Sequence, residues 1–257
     1  MLSSFAPETL VLAGVVAAIA AVIRGITGFG GAMVMAPPLA LLLGPRVAVP
    51  VTLLLEGFAA MPMLAQTRSL VRWPLIGPIL VAACVMIPLG SYVLVMADAL
   101  TLRRAIAAAV IVCALLMLSG QRYSAHRLPT SIGLGALSGA MTGAIGIGAP
   151  PVILYLLSGP DPVATTRANL TFYLVGISLA ALAIFWMEDV LDLRCVLIAL
   201  VLAPGYYCGL IVGIRLFSRF NDTRFRQFTL LLLVAVSTGI PVPIGLVSSI
   251  HSSPRSP

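Results

Sequence analysis

The sequence predicts an all-α polytopic membrane protein built from two homologous, inverted repeats. Of its 257 residues, 60% are hydrophobic and 9% are charged, whereas water-soluble chains carry about 25% charged residues. The apolar residues form near-continuous runs that are long enough to cross a membrane several times. Two of these runs are interrupted by similar glycine- and proline-rich stretches at matching places in the two halves, a pattern typical of transporters with internal repeats.

The first interruption covers residues 24–38 and reads Arg-Gly-Ile-Thr-Gly-Phe-Gly-Gly-Ala-Met-Val-Met-Ala-Pro-Pro. The second covers residues 139–151 and reads Gly-Ala-Met-Thr-Gly-Ala-Ile-Gly-Ile-Gly-Ala-Pro-Pro. Their shared Thr-Gly pairs lie at an offset of 115 residues (143 − 28). Because glycine frees the backbone and proline removes a hydrogen-bond donor, both stretches are predicted to break a helix at membrane depth. In the alternative interpretation, the glycines only allow neighbouring helices to pack closely.

We interpret the chain, residues 1–257, as one transmembrane transporter domain with eight apolar arms. The first repeat, about residues 10–119, contains the arms 10–43, 47–66, 74–97 and 102–119. The second repeat, about residues 130–247, contains the arms 130–158, 165–187, 195–217 and 226–247. A serine- and proline-rich tail, residues 248–257, is predicted to be disordered.

The opening arm of each repeat has an unusual length. Residues 10–43 would reach ~50 Å as one helix at ~1.5 Å per residue, whereas one crossing of the ~30 Å hydrocarbon core needs about 20 residues. The arm is therefore too long for one crossing and too short for two. A hairpin of two short helices, bent at the glycines, fits this length best, and such backbone is tolerated where protein or a water-filled cavity covers it.

The positions of the arginines bear on this topology. If each opening arm returns to its own side, the basic connectors 67–73, 120–129 and 218–225 share the inner side of the membrane. The acidic connector 188–194 then lies on the outer side. Each repeat makes three crossings, an odd count, so the two repeats have opposite orientation. The connector 98–104, with two arginines, is left on the outer side against the positive-inside rule.

Charged and amide side chains within the arms are candidates for function. An ionisable group at membrane depth costs from ~3 kcal/mol upward and is a functional candidate by default. Arg24 is suited to bind an anion through its paired donors, and Glu56 to carry a coupling proton or to hold an arginine in place. The alternatives are an Arg24 that reaches the membrane interface and a purely structural ion pair at Glu56. Arg167, two residues before Asn169, is a further candidate, with extension toward the interface as its alternative.

The breaks supply the other half of an anion site. Where a helix restarts after a glycine-rich turn, free backbone N–H groups and the positive end of the helix dipole face the gap. Two such ends from opposed hairpins would meet near the midplane, where threonine hydroxyls add donors. This chemistry suits an anion, and no metal site or cofactor is predicted. The predicted substrate-binding residues are Arg24, Thr27, Gly28, Gly30, Gly31, Glu56, Thr142, Gly143, Gly146, Gly148 and Asn169.

These motifs resemble those of the sulfite exporter TauE/SafE family of membrane permeases. The resemblance rests on Gly-Ile-Thr-Gly-Phe-Gly-Gly at residues 25–31 and on residues 139–155, with similar features at 88–90 and 167–171. It extends over about residues 10–247, and it implies a multi-pass protein of the bacterial inner membrane that transports small anions such as sulfite, sulfonates or related organic acids. One departure is the Gly-Ile-Gly-Ala-Pro-Pro of the second motif, where many relatives carry three consecutive glycines.

The leading hypothesis is a secondary transporter for a small anionic substrate, with the lipid bilayer as its other partner. A coupling proton or sodium ion and a homo-oligomeric state are compatible with the sequence and are not specified by it. An intramembrane enzyme is the main alternative, but no HExxH motif is present and no arm contains a histidine. A channel or scaffold subunit without transport activity of its own also remains open. Nucleic-acid binding is not expected, because no basic stripe with interleaved aromatic residues occurs.

Overall fold

A computed structural model describes residues 7–27, 30–118, 127–157, 159 and 161–217, and all regular structure in these ranges is helical. The helices of the predicted first repeat are α1 (Pro7–Thr27), α2 (Gly31–Leu42), α3 (Pro45–Thr67), α4 (Trp73–Met96) and α5 (Ala99–Leu118), with a 3-10 turn at Arg68–Leu70. Those of the predicted second repeat are α6 (Leu128–Ile145), α7 (Ala149–Leu157), α8 (Val163–Met187) and α9 (Leu193–Phe217). The predicted all-α class is confirmed. The predicted arm 226–247 and the tail 248–257 lie outside the described residues.

The length and composition of the helices are those of a multi-pass membrane protein. Among the described helices, α1, α4, α8 and α9 are long and apolar enough to cross a membrane. Large apolar side chains such as Val81 and Leu200 are exposed on their outer faces, as lipid contact requires. In the hydrocarbon core each backbone polar group needs a partner within the protein, and helices meet that need internally.

Each repeat opens with two helices separated by a glycine break. The chain enters α2 through Gly30, whose φ of 86° lies in the left-handed region that favours glycine. Helix α6 ends at Gly146, which has a φ of 72° and donates its N–H to the Thr142 carbonyl at 3.0 Å. Helix α7 then begins with Pro150 and Pro151 in its first turn, where a missing N–H removes no helical hydrogen bond.

The helix ends relate the two repeats differently from the sequence motifs. The ends of α1 and α6, the starts of α2 and α7, and the starts of α3 and α8 share an offset of 118 residues (145 − 27, 149 − 31 and 163 − 45). The offset of 115 residues taken from the Thr-Gly pairs is therefore wrong for the helix ends. Gly143 lies inside α6, where it packs on α4, and the second break instead contains Gly146 and Gly148.

The first opening arm contains one long helix and one short helix. Helix α1 has 21 residues, which at ~1.5 Å per residue corresponds to ~31 Å. The prediction of two short helices is therefore wrong for this arm. The break at Gly30 lies beyond the middle of the arm 10–43, so residues 10–27 already form a long helix. Pro7 and Glu8 extend it slightly at its start, because both favour a helix N-terminus. Helices α2 and α7, with 12 and 9 residues, are short as expected.

Two pairs of parallel helices join the repeats. In each pair, glycines at every fourth position of one helix lie against the backbone of the other. On α6 and α4 the contacts are Gly135 with Ile79, Gly139 with Ala83, and Gly143 with Ile87. On α9 and α1 the contacts are Gly205 with Gly14, Gly209 with Ala18, and Gly213 with Val22. The partners advance in the same direction along both helices, so each pair is parallel.

Helices α3 and α8 cross the centre of the bundle in opposite directions. Midway along α3, a Cβ placed on Gly57 would lie 3.1 Å from the Ser178 Cβ of α8. Beyond the end of α3, the Arg72 N–H donates to Asn169 Oδ1 at 2.8 Å, near the start of α8. An ion pair between Arg72 and Asp161 ties the same two segments together. Residue numbers therefore rise along α3 while they fall along α8.

Both short helices turn back toward the end of the bundle from which their partner helix starts. In the second repeat, the hydroxyl of Tyr155 on α7 lies 2.8 Å from Ser131 Oγ and donates to the Arg127 carbonyl at 3.3 Å, beside the start of α6. In the first repeat, Arg103 Nε donates at 3.0 Å to the carbonyl of Ala40 in the last turn of α2. The end of α2 leads into the start of α3, which lies at the same end of the bundle as the end of α8 and the start of α9. Because α1 runs parallel to α9, the end of α2 and the start of α1 share this end of the bundle.

Candidate functional site

A small cavity of ≈ 40 Å³ lies where the two glycine breaks meet. Its wall combines the first break, the second break and the middle of α3 and α8. The lining residues are Gly30, Ala32, Met33, Leu53, Glu56, Thr142, Gly146, Ile147, Gly148, Ala149, Pro150, Ile153, Leu174, Ile177 and Ser178. The wall is mostly apolar, and its side-chain polar groups are those of Glu56, Thr142 and Ser178. On the same measure of volume one water needs about 10–15 Å³, so this space holds roughly three waters or one small ion.

The starts of α2 and α7 face this cavity. Gly30 directly precedes α2, Ala32 and Met33 come from the first turn of α2, and Ala149 and Pro150 come from the first turn of α7. The first N–H groups of a helix have no acceptor within the helix, and the helix dipole places partial positive charge there. The two ends are unequal, since the prolines of α7 supply no N–H. Most of the backbone donors at the cavity therefore belong to α2.

A buried ion pair closes one wall of the cavity. The guanidinium of Arg24 on α1 pairs with the carboxylate of Glu56, and both residues are buried, with exposed fractions of 5% and 8%. Arg24 Nη2 also donates to the Glu56 backbone carbonyl at 3.1 Å. The Tyr206 hydroxyl of α9 donates to Glu56 Oε1 at 2.8 Å. Glu56 lines the cavity and Arg24 lies behind it, so the arginine does not reach the membrane interface.

The Glu56 carboxylate also lies against the first residue of α2. A Cβ on Gly31 would collide with Glu56 Oε1 and would lie 3.2 Å from the Arg24 Cβ. At the offset of 118 residues, Ala149 corresponds to Gly31 and Leu174 to Glu56 (149 − 31 and 174 − 56). The second repeat thus has a side chain where the first has glycine, and no carboxylate where the first has Glu56. Glycine at position 31 is explained by the space that the carboxylate needs.

Neutral hydrogen bonds hold the second break. The Tyr173 hydroxyl of α8 donates to Ser138 Oγ at 2.5 Å, and Ser138 donates to the carbonyl of Gly148. The Thr142 hydroxyl donates to the Ser138 carbonyl at 2.8 Å. A Cβ on Gly148 would collide with the Ser138 carbonyl and the Thr142 hydroxyl. One break is therefore fixed by an ion pair and the other by a chain of hydroxyl groups.

The structure gathers only part of the predicted binding set around the cavity. Five of the predicted residues line it: Gly30, Glu56, Thr142, Gly146 and Gly148. Gly31 and Arg24 lie in contact with Glu56, one step behind the wall. Gly143 faces α4, and Asn169 accepts a hydrogen bond from Arg72 at the end of the bundle. Gly28 and the side chain of Thr27 lie outside the described residues. Arg167 is exposed, in line with the alternative of an interfacial position.

Four residues of the site were missed by the sequence analysis: Ser138, Tyr173, Ser178 and Tyr206. Serine and tyrosine are common in membrane helices, where serine packs at helix contacts and tyrosine marks interfaces. Only the folded arrangement shows that both tyrosines are fully buried, with exposed fractions of 0%, and point to the breaks. Among the described residues no three of His, Cys, Asp and Glu are placed to share a metal ion.

Comparison with known families agrees with this architecture. No curated protein and no solved structure matches the chain. Residues 13–240 match the sequence model of the family described as "Sulfite exporter TauE/SafE", which covers both glycine breaks and all the helices around the cavity. With most of its length matched, the chain belongs to the TauE/SafE family of membrane transporters.

Proposed function

We propose that this protein is a secondary permease that moves a small anion, either sulfite, a sulfonate or a related organic acid, across the bacterial inner membrane. The observation that carries the proposal is the cavity between the two breaks, since it is enclosed by the elements that a broken-helix transporter uses to bind its substrate. Membership of a transporter family rather than an enzyme family agrees with it.

The charge of the substrate follows from the groups around the cavity. The first turn of α2 lines the space, its first N–H groups have no acceptor within the helix, and the helix dipole contributes about half a unit of positive charge there. The carboxylate of Glu56 is neutralised by Arg24, so it does not make the cavity a site for cations. Ser178 adds a hydroxyl group to the wall, whereas the Thr142 hydroxyl already donates to the Ser138 carbonyl. A compact oxyanion can accept hydrogen bonds from these N–H groups and from the Ser178 hydroxyl.

We also infer that the two repeats are inverted in the membrane. Helix α6 corresponds to α1, and helix α9 corresponds to α4. Helix α1 packs on α9, and α6 packs on α4, so the same contact occurs twice with the two repeats exchanged. A two-fold axis requires this exchange. Helix α3 packs on its own counterpart α8, and these two helices run in opposite directions. Corresponding helices of opposite direction are what an axis in the membrane plane produces. Rocking of one repeat against the other would then expose the cavity to each side in turn.

The transport function is tested by uptake and efflux in proteoliposomes, with sulfite, sulfoacetate, taurine and acetate as substrates. We expect transport of at least one of the sulfur oxyanions and its inhibition by the others. Ser178→Phe, which fills the cavity, is expected to abolish transport. Leu179→Phe on the same helix is the matched control, because Leu179 is 44% exposed on the outer face. Absence of anion transport by the wild-type protein, or full activity of Ser178→Phe, would contradict the proposal.

A further inference from the structure

We propose that Glu56 is an internal substitute for the transported anion, and that one proton binds with each anion. The incoming anion replaces the carboxylate on Arg24 and on the first turn of α2, while Glu56 takes up the proton. This inference rests on the proposed function and adds to it the coupling ion and the residue that carries it.

The first step is that Glu56 occupies the groups best suited to the substrate. Its carboxylate pairs with Arg24, the buried guanidinium beside the cavity, and lies against the first residue of α2. These are the strongest anion-binding groups around the cavity, because guanidinium offers paired donors and α2 supplies free N–H groups. An anion from solution can use them fully only if the carboxylate moves away. Glu56 itself lines the cavity, so it is placed to exchange with an occupant.

The second step concerns the charge of Glu56 once it is displaced. Its contacts come from three other helices: Arg24 on α1, Gly31 on α2 and Tyr206 on α9, while Ser178 of α8 lines the same cavity. Within the described part of the chain, Arg24 and Tyr206 are the titratable groups that face it. If the anion takes Arg24, the carboxylate retains only a neutral tyrosine and an apolar wall. A buried carboxylate beside a second anion, without a cation, is driven to its protonated form.

The proton balance is simple. The proton comes from water on the side from which the anion enters, and it binds a carboxylate oxygen of Glu56. The neutral carboxyl group keeps its hydrogen bond with the Tyr206 hydroxyl, which can donate or accept. When the anion leaves on the other side, the proton is released to water there and the ion pair with Arg24 forms again. No covalent bond is made or broken other than the O–H bond of Glu56, and one proton moves with each anion.

The test compares the wild type with Glu56→Gln, using sulfoacetate and sulfite as probes at a series of pH values above the usual pKa of glutamate. We expect the apparent affinity of the wild type to fall about tenfold per pH unit relative to the variant, as linkage to one proton requires. Titration of the probe itself cancels in this comparison. A pH gradient should drive accumulation by the wild type, whereas Glu56→Gln should exchange anions across the membrane without accumulating them. Glu188→Gln, at an exposed glutamate, is the matched control.

A second measurement does not depend on the variant. Proteoliposomes that contain a pH-sensitive dye should report one proton entering with each sulfoacetate ion taken up by the wild type. Anion transport by the wild type without proton movement would overturn the coupling and leave the permease function intact. Accumulation by Glu56→Gln under a pH gradient would do the same. If the wild type transports no anion at all, the proposed function fails, and the inference built on it fails with it.

Discussion

The pair formed by Arg24 and Glu56 is a costly feature at the scale of single residues, because both charges are buried. Both side chains are removed from water, and the attraction between them offsets their loss of hydration only while both are present. Replacing a buried ion pair by apolar residues of similar volume is often neutral or stabilising, whereas removing one partner costs about 3–5 kcal/mol. Stability alone therefore does not explain why this pair lies beside the cavity.

This asymmetry gives a prediction for three variants. Arg24→Met and Glu56→Met should each destabilise the protein by roughly 3–5 kcal/mol, because each leaves an unpaired buried charge. The double variant Arg24→Met/Glu56→Met should recover most of that loss while its transport of sulfite remains abolished. Thermal unfolding in detergent measures the first effect and proteoliposome uptake the second. Arg104→Met, at an exposed arginine, controls for the loss of one positive charge.

The double variant separates a binding role from a structural one. If it regains both stability and transport, the ion pair serves only the fold, and neither the substrate site nor the coupling proton involves it. If both single variants unfold no more readily than the wild type, the pair is not buried in the membrane as the structure has it.

The sequence could identify these two residues but not their contact. Arg24 and Glu56 are each conspicuous as ionisable groups in apolar runs. Their pairing depends on the angle at which α1 meets α2, since the two residues are 32 positions apart on different helices. That angle is set by the break around Gly30, and its value cannot be derived from the sequence motif. The same limit applies to Tyr206, which reaches Glu56 from 150 positions away.

At the scale of helices, glycine serves two separate purposes that the sequence motif combines. Gly30 and Gly146 provide the left-handed backbone of the breaks. Gly139 and Gly143 lie within α6 and let it approach the backbone of α4. The prediction that Gly143 approaches the substrate is replaced by this packing role, because its Cβ would lie 2.8 Å from the Ser91 nitrogen. The interpretation of glycines as spacers thus describes Gly143, whereas Gly146 belongs to the cavity.

The packing role predicts opposite effects for two substitutions on α6. In Gly139→Ala the new Cβ would lie 2.7 Å from the Ala83 carbonyl carbon, so α4 and α6 must separate. We expect a loss of about 1–3 kcal/mol, as for other overpacked contacts. Gly133→Ala has nothing within 4 Å of the added Cβ, and it should be neutral or stabilise the helix by up to about 1 kcal/mol. The unfolding midpoints of the two variants in detergent are the measurement. Equal midpoints would show that α4 and α6 do not depend on the close contact.

The helices that contain no break were the most predictable elements. Their predicted limits differ from the observed ones by at most three residues, as in 74–97 against Trp73–Met96 for α4. Long apolar runs bounded by charged connectors leave little freedom in where a membrane helix begins and ends. The register between the repeats was not predictable in this way. The Thr-Gly pairs are alike in sequence, but Thr27 is the last residue of α1, whereas Thr142 and Gly143 lie inside α6.

Arg103, which departs from the positive-inside rule, and Arg46 both have partners at helix ends. Arg103 donates to the carbonyls of Ala40 and Leu41 in the last turn of α2. Arg46 donates in the same way to the carbonyl of Val95 at the end of α4. A cation at a helix C-terminus binds carbonyl groups that lack acceptor partners and interacts favourably with the dipole. These side chains therefore stabilise helix ends, which accounts for their position on the less basic end of the bundle.

At the scale of the whole molecule, the contacts sort the connectors into two ends. Hydrogen bonds and antiparallel packing bring together the connectors near residues 44, 98 and 190, which form the first end. The connectors near residues 70 and 160 and the start of α6 form the second end. The orientation of this bundle in the membrane is a prediction from charge. Arg72 and Arg127 lie at the second end, and three acids follow α8 at the first, so the second end should face the cytoplasm.

Cysteine labelling from outside the cell tests both the grouping and the orientation. In a cysteine-free background, single cysteines replacing Asp98 and Asp189 at the first end should react with a membrane-impermeant maleimide. Cysteines replacing Leu70 and Asp161 at the second end should react only after the membrane is opened. The decisive comparison is between positions 70 and 189, because these connectors follow the corresponding central helices α3 and α8. In an inverted pair of repeats they lie on opposite sides, whereas in repeats of equal orientation they share one side. Labelling of both positions from outside would therefore exclude the inverted arrangement.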